Sequence, residues 1–299
     1  MRLRLRFSKL GKVRFTSHRD VARMWERALR RTGLRAAYTA GFSPRPKIAF
    51  GLALPTGAES LAEYLDLELA GSEGLDTPED LGQLPARLSA ELPLGVDVAA
   101  VAPLEPGSPS LQEAVESCSW KIEATGVDVP AATLLVARAM GADSLVLTRT
   151  RKGKEVTDDL RPALLHVSVS GPTAEGVELD AELGVHPRSL RPSELLLALS
   201  PDGALQERRV LRTAQWIWHD GARREPLATS SPPREDLHVR DRIPWPHPAV
   251  GVDALDSRDA LGTGPGAGPA VATRGAPPPG VSWLVESGLA RRAAVTGAD

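Results

Sequence analysis

Chemistry in this sequence starts with its cations. Residues 1–50 hold fourteen basic side chains (Arg2, Arg4, Arg6, Lys9, Lys12, Arg14, Arg19, Arg23, Arg27, Arg30, Arg31, Arg35, Arg45 and Lys47) against Asp20 and Glu26, a local excess of twelve positive charges. Over residues 51–120 the balance inverts: Arg87 stands against thirteen carboxylates, an excess of twelve negative charges. The formal net charge of −2 therefore conceals a polarised chain. Arginine at this density suits phosphate, because its planar fork bonds two oxygens at once and stays charged. His18 sits among these cations, where an imidazole could act as general acid or base on a phosphodiester. More often a histidine at such a position is a solvated residue at a helix start. No pair among the six histidines has the short spacing of a zinc site, so no metal is expected. Cys118 is the one cysteine, which excludes an internal disulfide framework and a three-thiolate cluster. It has no cationic neighbour in sequence and reads as a buried apolar residue. No cofactor is expected.

The local patterns say what positions these residues. Residues 2–7 alternate, with Leu3, Leu5 and Phe7 on one face and Arg2, Arg4 and Arg6 on the other, the period of a half-buried strand. Ser17 stands three residues before Asp20, a helix start signal, and a helix follows to about Thr32 and Gly33. At 100° per residue Val21, Met24, Trp25, Ala28 and Leu29 share one side, and Arg19, Arg23, Arg27 and Arg30 form a stripe opposite. A second strand is predicted over residues 34–39. In the segment GFSPRPKIAFGLALPTGAES, Pro44 and Pro46 hold the backbone extended, so that Phe42, Arg45 and Lys47 project from a stiff loop before a strand over 48–54. That loop lacks the Walker lysine-serine ending and the dinucleotide glycine spacing. A strand over 64–69, a helix opening at Thr77 and Pro78 that Pro85 would break or kink, and a strand over 96–101 follow. Strand, helix, strand, strand, helix, strand is the order of a split βαβ.

From Ser110 the order repeats more loosely, with one strand more than a simple repeat requires. Strands are predicted near 120–124, 145–150, 164–169, 177–183 and 209–215, and helices near 111–117, 130–140 and 192–199. Past His219 the periodicity stops, and residues 220–299 carry eleven prolines and ten glycines, a disordered composition. The fold class read from the sequence is therefore α+β: two tandem ferredoxin-like halves with antiparallel sheets over 1–108 and 109–219, then a disordered tail over 220–299. The start MRLRLRF lacks the apolar core of a signal peptide, and no run approaches the length of a membrane span. No membrane contact and a cytoplasmic location are expected.

The segments FSKLGKVRFTSHRD, RALRRTGLRAAYTAGFSPRPKIAFGLALPTGAESLAEYLDLEL and SLRPSELL resemble the radical-SAM-linked bacterial domain of unknown function, which occurs fused after a radical-SAM enzyme or as a separate chain. The resemblance covers about residues 1–215 and is most specific over 7–69. It implies a radical-SAM enzyme as partner, often with genes of RNA metabolism nearby. Cys118 alone cannot supply the cluster of such an enzyme, so this chain would be the associated part.

In a ferredoxin-like sheet helices cover one face, which would leave Arg2, Arg4 and Arg6 on the other, open to RNA phosphates. Few aromatics accompany them, Tyr38, Phe42 and Tyr64 at most, so backbone contacts are expected to outweigh base reading. The competing arrangement is an internal ladder in which these arginines pair with acids such as Asp66 and Glu68. The leading reading is a non-catalytic partner protein that binds RNA or a ribonucleoprotein through Arg2, Arg4, Arg6, Arg19, Arg23, Arg27, Arg30, Phe42, Arg45 and Lys47. One alternative is a metal-independent RNA endonuclease using His18. Another is a protein adaptor whose charged parts serve assembly.

Overall fold

The structure, a computed structural model, describes residues 1–71, 75, 77–151, 153–219 and 221–227. Strand β1 (Arg2–Lys9) and helix α1 (His18–Arg31) form where their patterns predict them. The Asp20 amide donates to the Ser17 hydroxyl oxygen, and that hydroxyl donates to the Asp20 carboxylate at 2.7 Å, which caps α1. At the other end the Leu34 amide returns to the Leu29 carbonyl and that of Gly33 to Arg30. Such a closure needs a positive φ, and Gly33 supplies it at 76°. Val21, Trp25, Ala28 and Leu29 pack on Leu3, Leu5 and Phe7, and the Phe7 and Trp25 rings meet edge-on at 5.0 Å.

The strand predicted over 34–39 is reduced to two isolated bridges, Ala36 to Leu69 and Tyr38 to Pro46. Pro44 and Pro46 lack the amide donors that a longer ladder would use. The strand predicted over 48–54 is the short β2 (Ile48–Phe50), after which Gly51, its amide on the Tyr64 carbonyl, leads the chain out of the sheet. There follow β3 (Glu59–Glu68), α2 (Pro78–Glu91) and β4 (Val98–Pro103). Pro85 does not break α2: the reciprocal Thr77–Asp80 cap and the complete burial of Leu84 and Leu88 outweigh the one missing hydrogen bond.

Beyond them lie α3 (Leu111–Ala114), β5 (Val115–Thr125), α4 (Val129–Met140), β6 (Val146–Arg151), β7 (Lys154–Asp159), β8 (Leu164–Pro172), β9 (Gly176–Gly184), α5 (Pro192–Leu199), β10 (Gln206–His219) and β11 (Ala222–Arg224). The surplus strand is explained by β6 and β7, which form a separate two-stranded sheet. The other nine strands make one mixed, mostly antiparallel sheet in the order β4-β1-β3-β10-β5-β9-β8, with β2 also on β3 and β11 also on β10. The exception to antiparallel pairing is β3 with β10, joined in parallel through Leu211 opposite Glu59 and Arg212 opposite Ser60.

One apolar cluster holds α1 and α2 against β1 and β3, and a second holds α4 and α5 against β5 and β9. Both sets of helices lie on one face of the sheet. Glu63 is paired with Phe7, which meets α1, while Arg212 is paired with Trp120 in the second cluster, and the Arg212 and Glu63 side chains bond to each other. Strand β11 extends the fold past residue 219, where the sequence pattern ends. Residues 228–299, which hold the rest of the expected tail, lie outside the described residues.

Candidate nucleic-acid interface

The three arginines of β1 are not an open cationic face. Arg4 is buried and bonds Asp66, opposite it on β3, with both prongs of its fork, Nε to Oδ1 at 2.8 Å and Nη2 to Oδ2 at 2.9 Å. Arg6 is buried too, its Nη1 2.9 Å from the Glu225 carboxylate just after β11. Arg2, at the strand end, stays 41% exposed and lies 3.8 Å from Asp66. The internal ladder is thus the arrangement present, with Asp66 and Glu225 as its acids. Its cause is cover over that face of the sheet. Leu111 packs there on Ala62 and Tyr64, the Pro109 carbonyl accepts from Arg4, and Glu225 also accepts from the Tyr64 hydroxyl at 3.2 Å. Burial, more than any charge, pushes the Tyr64 phenol upward and the Glu225 carboxyl upward. Sequence reading missed Glu225 because it falls where the apolar periodicity has already stopped.

The α1 arginines are placed otherwise. Arg19, Arg23, Arg27 and Arg30 are all exposed, on the helix side away from Trp25. Asp20 lies 3.7 Å from Arg23, and among the described residues no acid pairs with Arg19, Arg27 or Arg30. Arg31 is anchored instead, its Nε 2.6 Å from Glu91 on α2. The strand and helix arginines lie on opposite sides of the sheet and do not form one site.

Residues 38–47 form an arm closed by its own backbone, since the Thr39 amide donates to the Arg45 carbonyl and the Arg45 amide to the Thr39 hydroxyl. Phe42 is fully exposed on it, and Arg45 has no acidic partner among the described residues. Lys47 is spent on Glu68, Nζ to Oε1 at 2.8 Å, a bond that holds the Glu68 carboxyl below its ordinary range. His18 is exposed, and its ring packs edge-on against Phe50 of β2 at 5.0 Å. This contact fixes the start of α1 beside the base of the arm.

A polar cluster that the sequence did not announce lies where β3 meets β10. Glu59, 1% exposed, accepts from the Gly11 amide at 2.7 Å, from Arg14 and from Arg209 at 2.6 Å. Arg212 is fully buried and donates to Glu63 and to the Leu52 carbonyl at 3.0 Å. Lys9 is buried with its ammonium on the Arg14 and Thr16 carbonyls, and burial lowers its pKa, with Glu63 opposing. Glu59 with Arg209 and Glu63 with Arg212 come from segments about 150 residues apart in the chain, which is why no local motif shows these pairs. Among the described residues no group of three or more His, Cys, Asp or Glu side chains is arranged to hold a metal ion.

No curated protein sequence matches the chain. Among solved structures, the "Crystal Structure of a Cbf5-Nop10-Gar1 Complex" contains a chain similar over 71% of this one, at 10% identity and a TM-score of 0.41. The likeness spans 48% of that structure's chain and is too low to carry a functional inference. No helix among the described residues is long and apolar enough to cross a membrane. Residues 2–192, close to two thirds of the sequence, match a bacterial family profile, and the chain belongs to the family described as "Uncharacterized protein conserved in bacteria (DUF2344)".

Proposed function

We propose that this chain is a non-catalytic, cytoplasmic partner of a radical-SAM enzyme and binds RNA, or the RNA of a ribonucleoprotein, through α1 and the arm. The observation that carries the reading is the exposure of Arg19, Arg23, Arg27 and Arg30, of which, among the described residues, Arg23 alone has an acid, Asp20, at ion-pair distance. A folded protein keeps such a row of cations along one helix side, three of them without an ion-pair partner among the described residues, at a cost in self-repulsion, and a phosphate backbone offsets that cost. Arg45 and Phe42 add a fifth cation and a ring on which a base can stack. Arg2 lies on the other side of the sheet, and Arg4, Arg6 and Lys47 serve the fold. The resemblance of residues 7–69 to the radical-SAM-linked domain supports the enzyme partner. Two tandem ferredoxin-like units fit the strand order, β4-β1-β3 with β2 on β3 and then β10-β5-β9-β8, since each is the 4-1-3-2 arrangement of a split βαβ.

The test is binding of single-stranded RNA at graded salt. Wild type is expected to weaken with a log-log slope of about −0.7 per phosphate contact. Changing Arg19, Arg23, Arg27 and Arg30 together to glutamine is expected to flatten that slope and weaken binding at least tenfold, while the unfolding midpoint stays put. Unaltered affinity in this variant sinks the reading in favour of a protein adaptor. An RNA product that disappears in His18→Ala while binding persists would replace it with an endonuclease. Crosslinking in bacterial cells checks the radical-SAM partner independently.

A further inference from the structure

The turn between β1 and α1, Gly11–Phe15, holds Phe15 outward, 62% exposed, three residues before His18. The Arg14 guanidinium lies over its ring, 4.7 Å from the centroid, and the backbone of Gly57 runs alongside, where a Cβ would come within 3.9 Å of the ring atom Cε1. The turn is pinned from several directions. Gly57 donates its amide to the Arg14 carbonyl at 2.9 Å, and the Lys9 ammonium bonds the Arg14 and Thr16 carbonyls at 3.3 and 3.1 Å. The Thr16 amide and hydroxyl both return to the Val13 carbonyl, at 3.0 and 2.6 Å, and the Gly11 amide is held by Glu59 at 2.7 Å. A buried ammonium is costly to keep, and here its hydrogen bonds go to the backbone around a turn that exposes an apolar ring. Rigid presentation of this kind lowers the entropy lost when a ligand arrives.

The surroundings of the ring are cationic. Residues 9–19 hold Lys9, Lys12, Arg14 and Arg19 and no acid. Lys12 and Arg19 are exposed, and among the described residues no acid pairs with either. Arg14 lies 3.4 Å from Glu59, an acid that is buried and shared with Arg209. A flat apolar ring among such cations matches a ligand that is flat at one end and anionic at the other, which is an unpaired nucleobase on its phosphate. Arg19 also opens the exposed row on α1, so the ring and that row are four residues apart in the chain.

We propose that Phe15 stacks one unpaired nucleobase of a single-stranded RNA, with the Arg14 guanidinium extending the platform and Lys12 and Arg19 holding the flanking phosphates. The proposal rests on the RNA-binding reading and adds to it a base-stacking subsite at the start of α1. The test measures binding of a single-stranded RNA oligonucleotide and of an abasic strand with the same sugar-phosphate backbone, in wild type, Phe15→Leu and Phe15→Tyr. Leucine keeps an apolar side chain and removes the ring face, whereas tyrosine keeps the face. Phe15→Leu is expected to bind the RNA about tenfold more weakly, and Phe15→Tyr as tightly as wild type. All three are expected to bind the abasic strand equally and to share one salt slope, since no phosphate contact changes. RNA affinity at the wild-type level in Phe15→Leu overturns the proposal and leaves the RNA reading standing. An equal loss on the abasic strand, or a loss in Phe15→Tyr that matches the one in Phe15→Leu, overturns it as well, because the side chain would then support the turn and not a base. If wild type binds no RNA, the RNA-binding reading itself fails and the subsite with it.

Discussion

At the scale of single residues, the same side chain does opposite things according to what covers it. Arg4 is inside an ion pair with Asp66, both nearly inaccessible to water, whereas Arg27 is exposed on α1 with no acid beside it. Arg4→Met, which leaves the Asp66 carboxylate buried without its main partner, is expected to cost about 3–5 kcal/mol in urea unfolding. The double change of Arg4 to Met and Asp66 to Leu is expected to recover most of that loss, because no charge stays behind. Arg27→Gln is expected to fall within about 0.5 kcal/mol of wild type. Cys118 gives a pH-dependent check. Burial, opposed by Arg212, pushes its thiol from 9.0 up to about 11. Its folded value is thus the higher one, so its contribution is complete below pH 9 and is lost as pH rises from 9 towards 11. Stability measured between pH 8 and 11 should fall less steeply in Cys118→Val than in wild type. Equal slopes would show that burial does not raise the Cys118 thiol above its unfolded value.

The elements follow local rules wherever a rule was strong. The Ser17 cap, the Gly33 closure and the apolar side of α1 were legible from spacing alone, and so was the stripe that side leaves outward. Pro85 was misleading because one missing amide in α2 weighs little against two buried leucines and a reciprocal cap. Residues 34–39 and 48–54 were misleading because their pairing depends on how much of β3 is free to accept them. Gly95 sits where the chain passes close to Leu10: its φ is +91°, and a Cβ there would lie 2.3 Å from the Leu10 carbonyl oxygen. Gly95→Ala is therefore expected to destabilise by about 1–3 kcal/mol, read as a lower urea midpoint. Gly11, with a φ of +67° and open space around it, should pay for the backbone conformation alone and lose less.

For the whole molecule, the decisive contacts are those between distant parts of the chain. Glu225 closes over Arg6 and Tyr64 from more than 150 residues away, so a chain ending at His219 loses an acid that the first strand uses. Ending the chain at His219 instead of Leu227 is expected to lower stability by about 2 kcal/mol, as befits a lost hydrogen bond to a charged group. Equal melting of the two chains would mean that the last strand adds nothing. The seam between β3 and β10 works the same way, with Glu59 and Glu63 serving Arg209 and Arg212. By itself the sequence determined the α+β class, most helix and strand positions and the arginine stripe on α1, because periodicity and caps are encoded within a few residues of each other. It left open whether Arg2, Arg4 and Arg6 face water, and it gave no sign of the polar cluster where β3 meets β10. Only the tertiary structure decided these, since burial of a charge depends on which remote segment covers it, and no local pattern carries that information.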